Sequence, residues 1–504
     1  MGLPARMTRR LPVLPVVSVA LVIGVAVLVV AVVLSRIEEP QHRGGPLRNP
    51  TPPRAGQPPE GAVEGLLTFR GNPTRTYHGE GPVPLDPAIG WRSPEAPMCS
   101  VSFVGLDADR WCGTGWTGQP NVVVTEDGVE VREGAYDGAY HFLDGLTGLP
   151  VGTPLQTRDL AKGSATSDPD GFPLYYAGSR DGRFRIVALD RPDGIPEVLW
   201  SIHGVTSVDR PLRNDDWDGA ALVVDDVLFV GGENGWLYAV RLHRDLDDVG
   251  LVEVSPEIVA KVPGFDDELL RAIGDTEVSI ENSVSLHGGT LYFANSGGLV
   301  QGWDVSDVLA GGSRLERVFR FWTGDDTDAS IAIDDAGALY VASEYQRAND
   351  RSQEVGQLMK LDPSRPGQPL VWSIEAREIG FEGAGGSWST PAIYGELVIF
   401  TTAAGRVLAV DRASGDVRWE RQVGAPAIGS PVVVDGVLIQ GDCRGDLWAW
   451  DVSDPDADPT LLWKLHFNDC IESTPAVWRG WIYLGTRQGY LYGLTDRSEF
   501  DRPG

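Results

Sequence analysis

Apolar and polar positions alternate with a two-residue period in short runs, and the runs recur in a larger unit. That unit repeats about eight times from Trp116 to the end of the chain. One copy, residues 389–423, reads STPAIYGELVIFTTAAGRVLAVDRASGDVRWERQV. Each copy has the same order: an alternating apolar run, a Gly- or Asp-containing turn, a second run, another Gly turn, a third run ending in an acidic residue, then a fourth run carrying Trp. Period-2 alternation bounded by turn residues predicts strands and hairpins. A recurrence of roughly 40 to 50 residues with four strands per unit predicts the blades of a β-propeller.

Third strands are expected at residues 138–144, 184–190, 235–241, 298–304, 356–362, 405–411, 445–451 and 489–496, which makes eight blades. The last unit lacks its Trp strand. Residues 88–92, with Trp91, have the fourth-strand pattern and precede the first blade. Pairing them onto the last blade closes the ring and leaves no open strand edge at the seam. Trp91, Trp200, Trp372, Trp419 and Trp463 read as rings wedged between successive blades. Residues 266–274 predict a short helix, acidic at its start and Gly-terminated. Residues 344–356 read as a polar, mobile hairpin tip.

Residues 409–419, Ala-Val-Asp-Arg-Ala-Ser-Gly-Asp-Val-Arg-Trp, resemble the Ala-x-Asp-x-x-Thr-Gly-x-x-x-Trp docking motif of PQQ-type propellers, and residues 144–148 are a second, partial copy. Residues 69–76, Phe-Arg-Gly-Asn-Pro-Thr-Arg-Thr, are similar to the segment that introduces such domains. The resemblance extends from about residue 66 onward. It implies the eight-bladed fold and two alternative roles, because the family holds quinoprotein dehydrogenases as well as non-catalytic, BamB-like envelope proteins.

An uncharged stretch over residues 11–34 is long enough to span a hydrocarbon core, and Arg6, Arg9 and Arg10 precede it. This predicts a single-pass signal anchor with residues 1–10 cytoplasmic and the propeller, residues 66–504, outside the membrane. The run ends in Val-Val-Leu-Ser-Arg, a poor signal-peptide cleavage site. Residues 35–65 are rich in Pro and Gly and read as an extended tether. Four cysteines in an exported chain suggest disulfides. Of the three possible pairings, Cys99–Cys112 with Cys443–Cys470 is preferred: the first pair flanks the stretch leading from the closing strand into blade one, and the second joins neighbouring turns of blades seven and eight. No cysteines are adjacent, whereas many quinoprotein alcohol dehydrogenases carry a vicinal pair.

A net charge of −29 disfavours nucleic acid and favours cations and basic partners. No nucleotide-binding loop, zinc spacing or nucleophile elbow is present. Stacking the first strands aligns Ala221, Val284, Ile331, Pro391 and Pro475; three residues earlier stand Asp218, Glu281, Asp328, Trp388 and Glu472. First strands line a propeller channel, so these side chains, with Asn282, are expected at its mouth, where carboxylates suit Ca2+ or a cationic ligand group. The first reading is a non-catalytic envelope protein that binds another protein or a wall polymer, with no cofactor expected. The alternative implied by the resemblance is a PQQ-dependent dehydrogenase, with Glu281 and Asn282 on Ca2+, Asp328 as base and Trp388 against the quinone.

Overall fold

The computed structural model describes residues 55–58, 63–104 and 107–499. Eight antiparallel sheets follow one another along the chain as eight blades. Seven of the innermost strands are Asn121–Thr125, Thr166–Ser167, Leu222–Val224, Ser285–His287, Ala332–Ile333, Ala392–Tyr394 and Val432–Val434, in blades one to seven. The eighth, Ala476–Trp478, begins a blade whose outer strand is Pro87–Ser93, paired antiparallel with Tyr490–Asp496. The ring is therefore closed by chain from its own beginning, and the last blade has its full four strands.

A belt of hydrogen bonds links one inner strand to the next. The backbone N–H of Ser283 donates to Ser330 Oγ, that of Ser330 to Thr390 Oγ1, and that of Thr390 to Ser430 Oγ, each at 2.9 Å. Ser430 N–H continues to Thr474 Oγ1 at 3.1 Å, and Thr474 N–H closes onto Gly118 O at 2.7 Å. Gln119 N–H to Ser164 Oγ and Ala220 N–H to Ser283 Oγ extend the belt through the early blades. A strand entering a channel wall cannot offer this N–H to water, so a neighbour must accept it. The Ser or Thr in the recurring Ser-Thr-Pro and Gly-Ser-Pro triplets is that acceptor.

Residues 65–80 fill the channel and touch the inner strand region of every blade. Gly65 and Leu66 pair with Val123 and Val122, and Gly79 and Glu80 run parallel to Val477 and Trp478. Between them, Leu67 O accepts from Ser167, Pro73 O from Leu286 and Thr74 O from Ile333. Thr68 Oγ1 donates to Ala221 O, Arg75 donates twice to Val284 O, Arg70 donates to Thr390 O, and His78 Nδ1 lies 3.2 Å from Val433 N. Arg70 and Arg75 are fully buried. Burial pushes both guanidinium groups down to about 9.

The outer-strand tryptophans pack against neighbouring blades. The indole N–H of Trp91 donates to Gly145 O, that of Trp372 to Arg412 O and that of Trp463 to Pro84 O. Trp419 packs with Val433 and Trp450 of the next blade, and Trp200 with Val252. The receiving turn is made by Asp411, whose Oδ1 accepts the N–H groups of Ala413 and Ser414. Gly415 follows at φ 82°, and a Cβ there would lie 2.6 Å from the Trp372 ring. Both the backbone and the incoming ring thus require glycine.

Disulfides join Cys99 to Cys112 and Cys443 to Cys470. A helix, Asp267–Ile273, is capped by Asp266 and ended by Gly274. Residues 344–356 differ from the expected hairpin tip: Glu344–Tyr345 pairs with Gly385–Gly386, and Asp350–Val355 is a helix capped by Asn349. The difference has a cause in Asp325, a buried residue whose carboxylate accepts the N–H groups of Gln346, Arg347 and Ala348 and folds the segment inward. The anchor expected at residues 11–34 and the tether to residue 54 lie outside the described residues. Among the described residues, no helix is long and apolar enough to cross a membrane. Ala55 and Gly56, within the tether stretch, donate to Asp335 and Thr76.

Replacing Thr390 by Val keeps the side-chain shape and leaves the buried Ser330 N–H without an acceptor. Denaturant unfolding is expected to show a loss of about 1–3 kcal/mol; an unchanged midpoint would remove the belt as a source of stability.

Candidate functional site

Two residues before each belt position, the chain turns into its inner strand and points a side chain at the channel mouth. The eight residues at that register are Thr117, Lys162, Asp218, Glu281, Asp328, Trp388, Ile428 and Glu472. A cavity opens there, with about 520 Å3 of empty space counted out to bulk solvent. Phe69 of the channel-filling segment lines it, and Trp116, Phe381 and Trp388 form aromatic wall. All six residues expected at the mouth, Asp218, Glu281, Asn282, Asp328, Trp388 and Glu472, border this one cavity.

Their surroundings separate them. Lys162 Nζ lies 2.6 Å from Asp218, 3.6 Å from Glu233 and 3.8 Å from Asp216. It also sits over the Trp116 ring, 4.9 Å from the centroid. Burial opposes the charge on Lys162, but Asp218, Glu233 and Asp216 outweigh it and hold the ammonium well above its usual range. Asp216 has a second cation, Arg180, at 3.4 Å. Glu472 is paired through both oxygens with Arg487, at 3.0 and 3.1 Å. Asn282 is fully engaged: its amide nitrogen donates to Ala294 O and Thr327 O, and its oxygen accepts from Ala294 N. It ties two blades together, and its buried oxygen already accepts one backbone N–H. Trp388 packs edge-on against Phe381.

Glu281 accepts from the Trp116 indole and from Ser296 Oγ, each at 3.3 Å. Burial, with Asp328 next, pushes its carboxyl up to about 8. Asp326, Asp328 and Glu344 bring carboxylate oxygens within 4.8 Å of one another. Among the described residues, these three make no ion pair with Lys or Arg within 4.0 Å. Burial, then Glu281, raises Asp326 to about 7; burial and the neighbouring carboxylates hold Asp328 and Glu344 well above the usual range. A second set, Asp218, Glu233 and Glu281, has the same 4.8 Å spacing, but Lys162 lies against it. The mouth thus contains an acid group set against the protein's own lysine and another whose carboxyls are raised by burial and by one another.

Lys162, Trp116, Glu233, Glu344 and Phe381 were not anticipated. Lys162 shares the repeat register with Asp218, so extending the alignment to blade two would have found it. Glu233 and Glu344 come from turns between second and third strands, and no register relates them to the first strands. Asp215 lies near His203, and Asp325 serves the segment after Glu344, so neither belongs to the cavity wall.

Comparison with known proteins supports the architecture. A family model described as outer membrane protein assembly factor BamB matches residues 370–499. A curated relative, 6-deoxy-6-sulfo-D-gluconate dehydratase of Pseudomonas putida, is 24% identical over 243 residues, which are 46% of this chain and 40% of that protein. The chain therefore spans less than half of that relative's length. BamB from Moraxella catarrhalis superposes with a TM-score of 0.52 at 16% identity, covering 79% of this chain and all of that one. Quinohemoprotein alcohol dehydrogenase from Comamonas testosteroni gives 0.58 at 12% identity, covering 86% of this chain and 80% of the enzyme. At these identities the likeness is one of fold. The chain is an eight-bladed propeller whose fold is similar to that of BamB and of quinohemoprotein alcohol dehydrogenase.

Proposed function

We propose that the chain is a non-catalytic binding propeller of the cell envelope, held at the membrane by residues 11–34, with the acidic channel mouth as its working site for a cationic group. The observation that carries this reading is the cavity itself, where aromatic rings meet carboxyls that burial and neighbouring carboxylates push upward. A cation arriving beside Glu281 and Asp328 displaces their protons and supplies a positive charge. The topology also suits a tethered binder. The inner strand Ala332–Ile333 starts at Asp328 and Ser330 on the mouth and ends near Asp335, where Ala55 is bound. The chain therefore enters at the end of the ring away from the mouth, which leaves the mouth open to a partner. BamB-type matches support an envelope setting.

The competing reading is a PQQ-dependent dehydrogenase. In its favour, Glu281, Asp328 and Trp388 line the same cavity in a ring shared with such an enzyme. The residues do not fit the metal and quinone as that reading needs. Asn282 has its amide engaged by three backbone groups, and Trp388 carries Phe381 on its ring. No reaction step is therefore derived.

Adding PQQ and Ca2+ to the purified chain is expected to give no bound-quinone absorbance and no dye-linked alcohol oxidation; oxidation that depends on Asp328 would establish the enzyme instead.

Carboxyls that titrate higher in the ring than in the unfolded chain set a pH dependence of known sign. Below the ordinary carboxylate range, near pH 4.5, they contribute nothing. As pH rises toward 8 the unfolded chain releases protons that the ring keeps, so stability falls, by about 1.4 kcal/mol per pH unit for each proton retained. Thermal unfolding of the chain without added ligand is expected to follow this trend, and Glu281→Gln to flatten it. Calorimetry at pH 7 with N-acetyl-lysine methylamide is expected to show binding with proton release. Lack of binding by both this probe and Ca2+ would refute the mouth as a cation site.

A further inference from the structure

We propose that the mouth face docks a protein segment in which a lysine or arginine is flanked by apolar residues, the cation entering the acidic cavity and its neighbours lying on the exposed face of the hairpin Cys99–Val104/Asp107–Cys112. This deepens the binding reading above and rests on it.

The hairpin is a two-stranded sheet of its own, with neither outer edge paired to another strand. Two strands alone are marginally stable, and here Cys99 and Cys112 stand directly opposite each other and are disulfide-bonded at the base. The base is fixed to mouth-side turns: Met98 N–H donates to Gly489 O, Tyr136 N–H to Gly113 O, and Arg487 Nε to Cys112 O. Farther along, Phe103 O accepts from Arg180 at 3.0 Å. The hairpin thus leans from the seam of blades eight and one toward blade two.

Alternation then sorts its faces. Ser100 donates to Tyr136 O, and Ser102 is 1% exposed, so this side faces the ring. Val101 and Phe103 point the other way and are 61% and 62% exposed. A protruding pair of large apolar side chains, on a covalently stapled support, marks a contact surface more than a folding need.

Arg180 joins the two halves of the surface. It holds the hairpin through Phe103 O and pairs with Asp216, which belongs to the acid group around Lys162. The apolar face therefore adjoins the Lys162 side of the mouth. Charge complementarity selects a basic partner, since Asp326, Asp328 and Glu344 have no ion-paired cation among the described residues. The aromatic wall selects a long side chain. Lys162 already lies over Trp116, which shows that the wall accepts an aliphatic stem with a cationic end.

The test is fluorescence anisotropy of the full chain with a labelled peptide, acetyl-Leu-Phe-Lys-Phe-Leu-amide, alongside calorimetry with N-acetyl-lysine methylamide. The peptide is expected to bind, and its Lys→Glu version to lose binding. V101S/F103S, exposed changes that leave the unfolding midpoint unchanged, are expected to weaken the peptide roughly tenfold or more while leaving the lysine amide unaffected. E281Q/D328N are expected to weaken both probes. Absence of peptide binding, or unchanged peptide affinity in V101S/F103S while the lysine amide still binds, overturns the docking inference alone. Unchanged affinity for both probes in E281Q/D328N overturns the mouth reading beneath it. Self-association of the chain that V101S/F103S abolishes would assign the hairpin to a second copy and also overturn the inference.

Discussion

The ring depends on one recurring interaction, a backbone N–H at the start of an inner strand donating to a hydroxyl of the next blade, made at six of the eight blade junctions. Ser283, Ser330, Thr390, Ser430 and Thr474 carry it through five consecutive positions. Apart from the short pairings of Gly65–Leu66 with blade one and Gly79–Glu80 with blade eight, an inner strand has no further strand on its channel side, so its entering N–H is buried without a sheet partner. A short hydroxyl from the next blade meets that need only at one separation, and so sets how closely the blades approach. Because the belt is rigid, the residue two positions earlier has a fixed place at the mouth. A site built on such supports needs little rearrangement to receive a ligand.

The channel within the belt is filled by residues 65–80, and their chemistry explains why two arginines are buried there. A single strand can pair along only one or two blades, yet eight blades present carbonyls and N–H groups to the axis. Arg75 reaches Val284 and Phe69, and Arg70 reaches Thr390, supplying donors in directions that a backbone cannot. Phe69 then closes the floor of the mouth cavity. The two ends of the ring become different in kind: one receives the incoming chain, and the other carries the acidic cavity and the stapled hairpin.

Within the cavity, neutralisation is local and uneven. Lys162 and Arg487 each answer particular carboxylates, Asp218 and Glu472, at hydrogen-bonding distance. The group around Asp328 has no ion pair of this kind among the described residues, and burial with the neighbouring Asp326 raises the Asp328 carboxyl. A ring similar to that of a quinohemoprotein alcohol dehydrogenase does not by itself specify that enzyme's chemistry, because chemistry resides in side-chain geometry and not in the blades. Asn282 illustrates the point: its type suits a metal ligand, and its hydrogen bonds make it a clamp between blades.

Local periodicity was sufficient to read the blades, the Trp positions, the helix at 267–273 and the strand around Trp91 that completes the last blade. It also placed Asp218, Glu281, Asn282, Asp328, Trp388 and Glu472 at one end of the channel, since a two-residue alternation and a repeated triplet dictate side-chain direction. What the side chains do there was decided by closure. Lys162 meets Asp218 at the same register of the neighbouring blade, whereas Arg487 meets Glu472 from a turn whose path the repeat does not specify. Glu344 reaches Asp328 only because Asp325 draws residues 346–348 inward, in place of the expected hairpin tip. Direction is a property of neighbours in sequence, whereas charge pairing is a property of neighbours in space, and only the closed ring brings the second kind together.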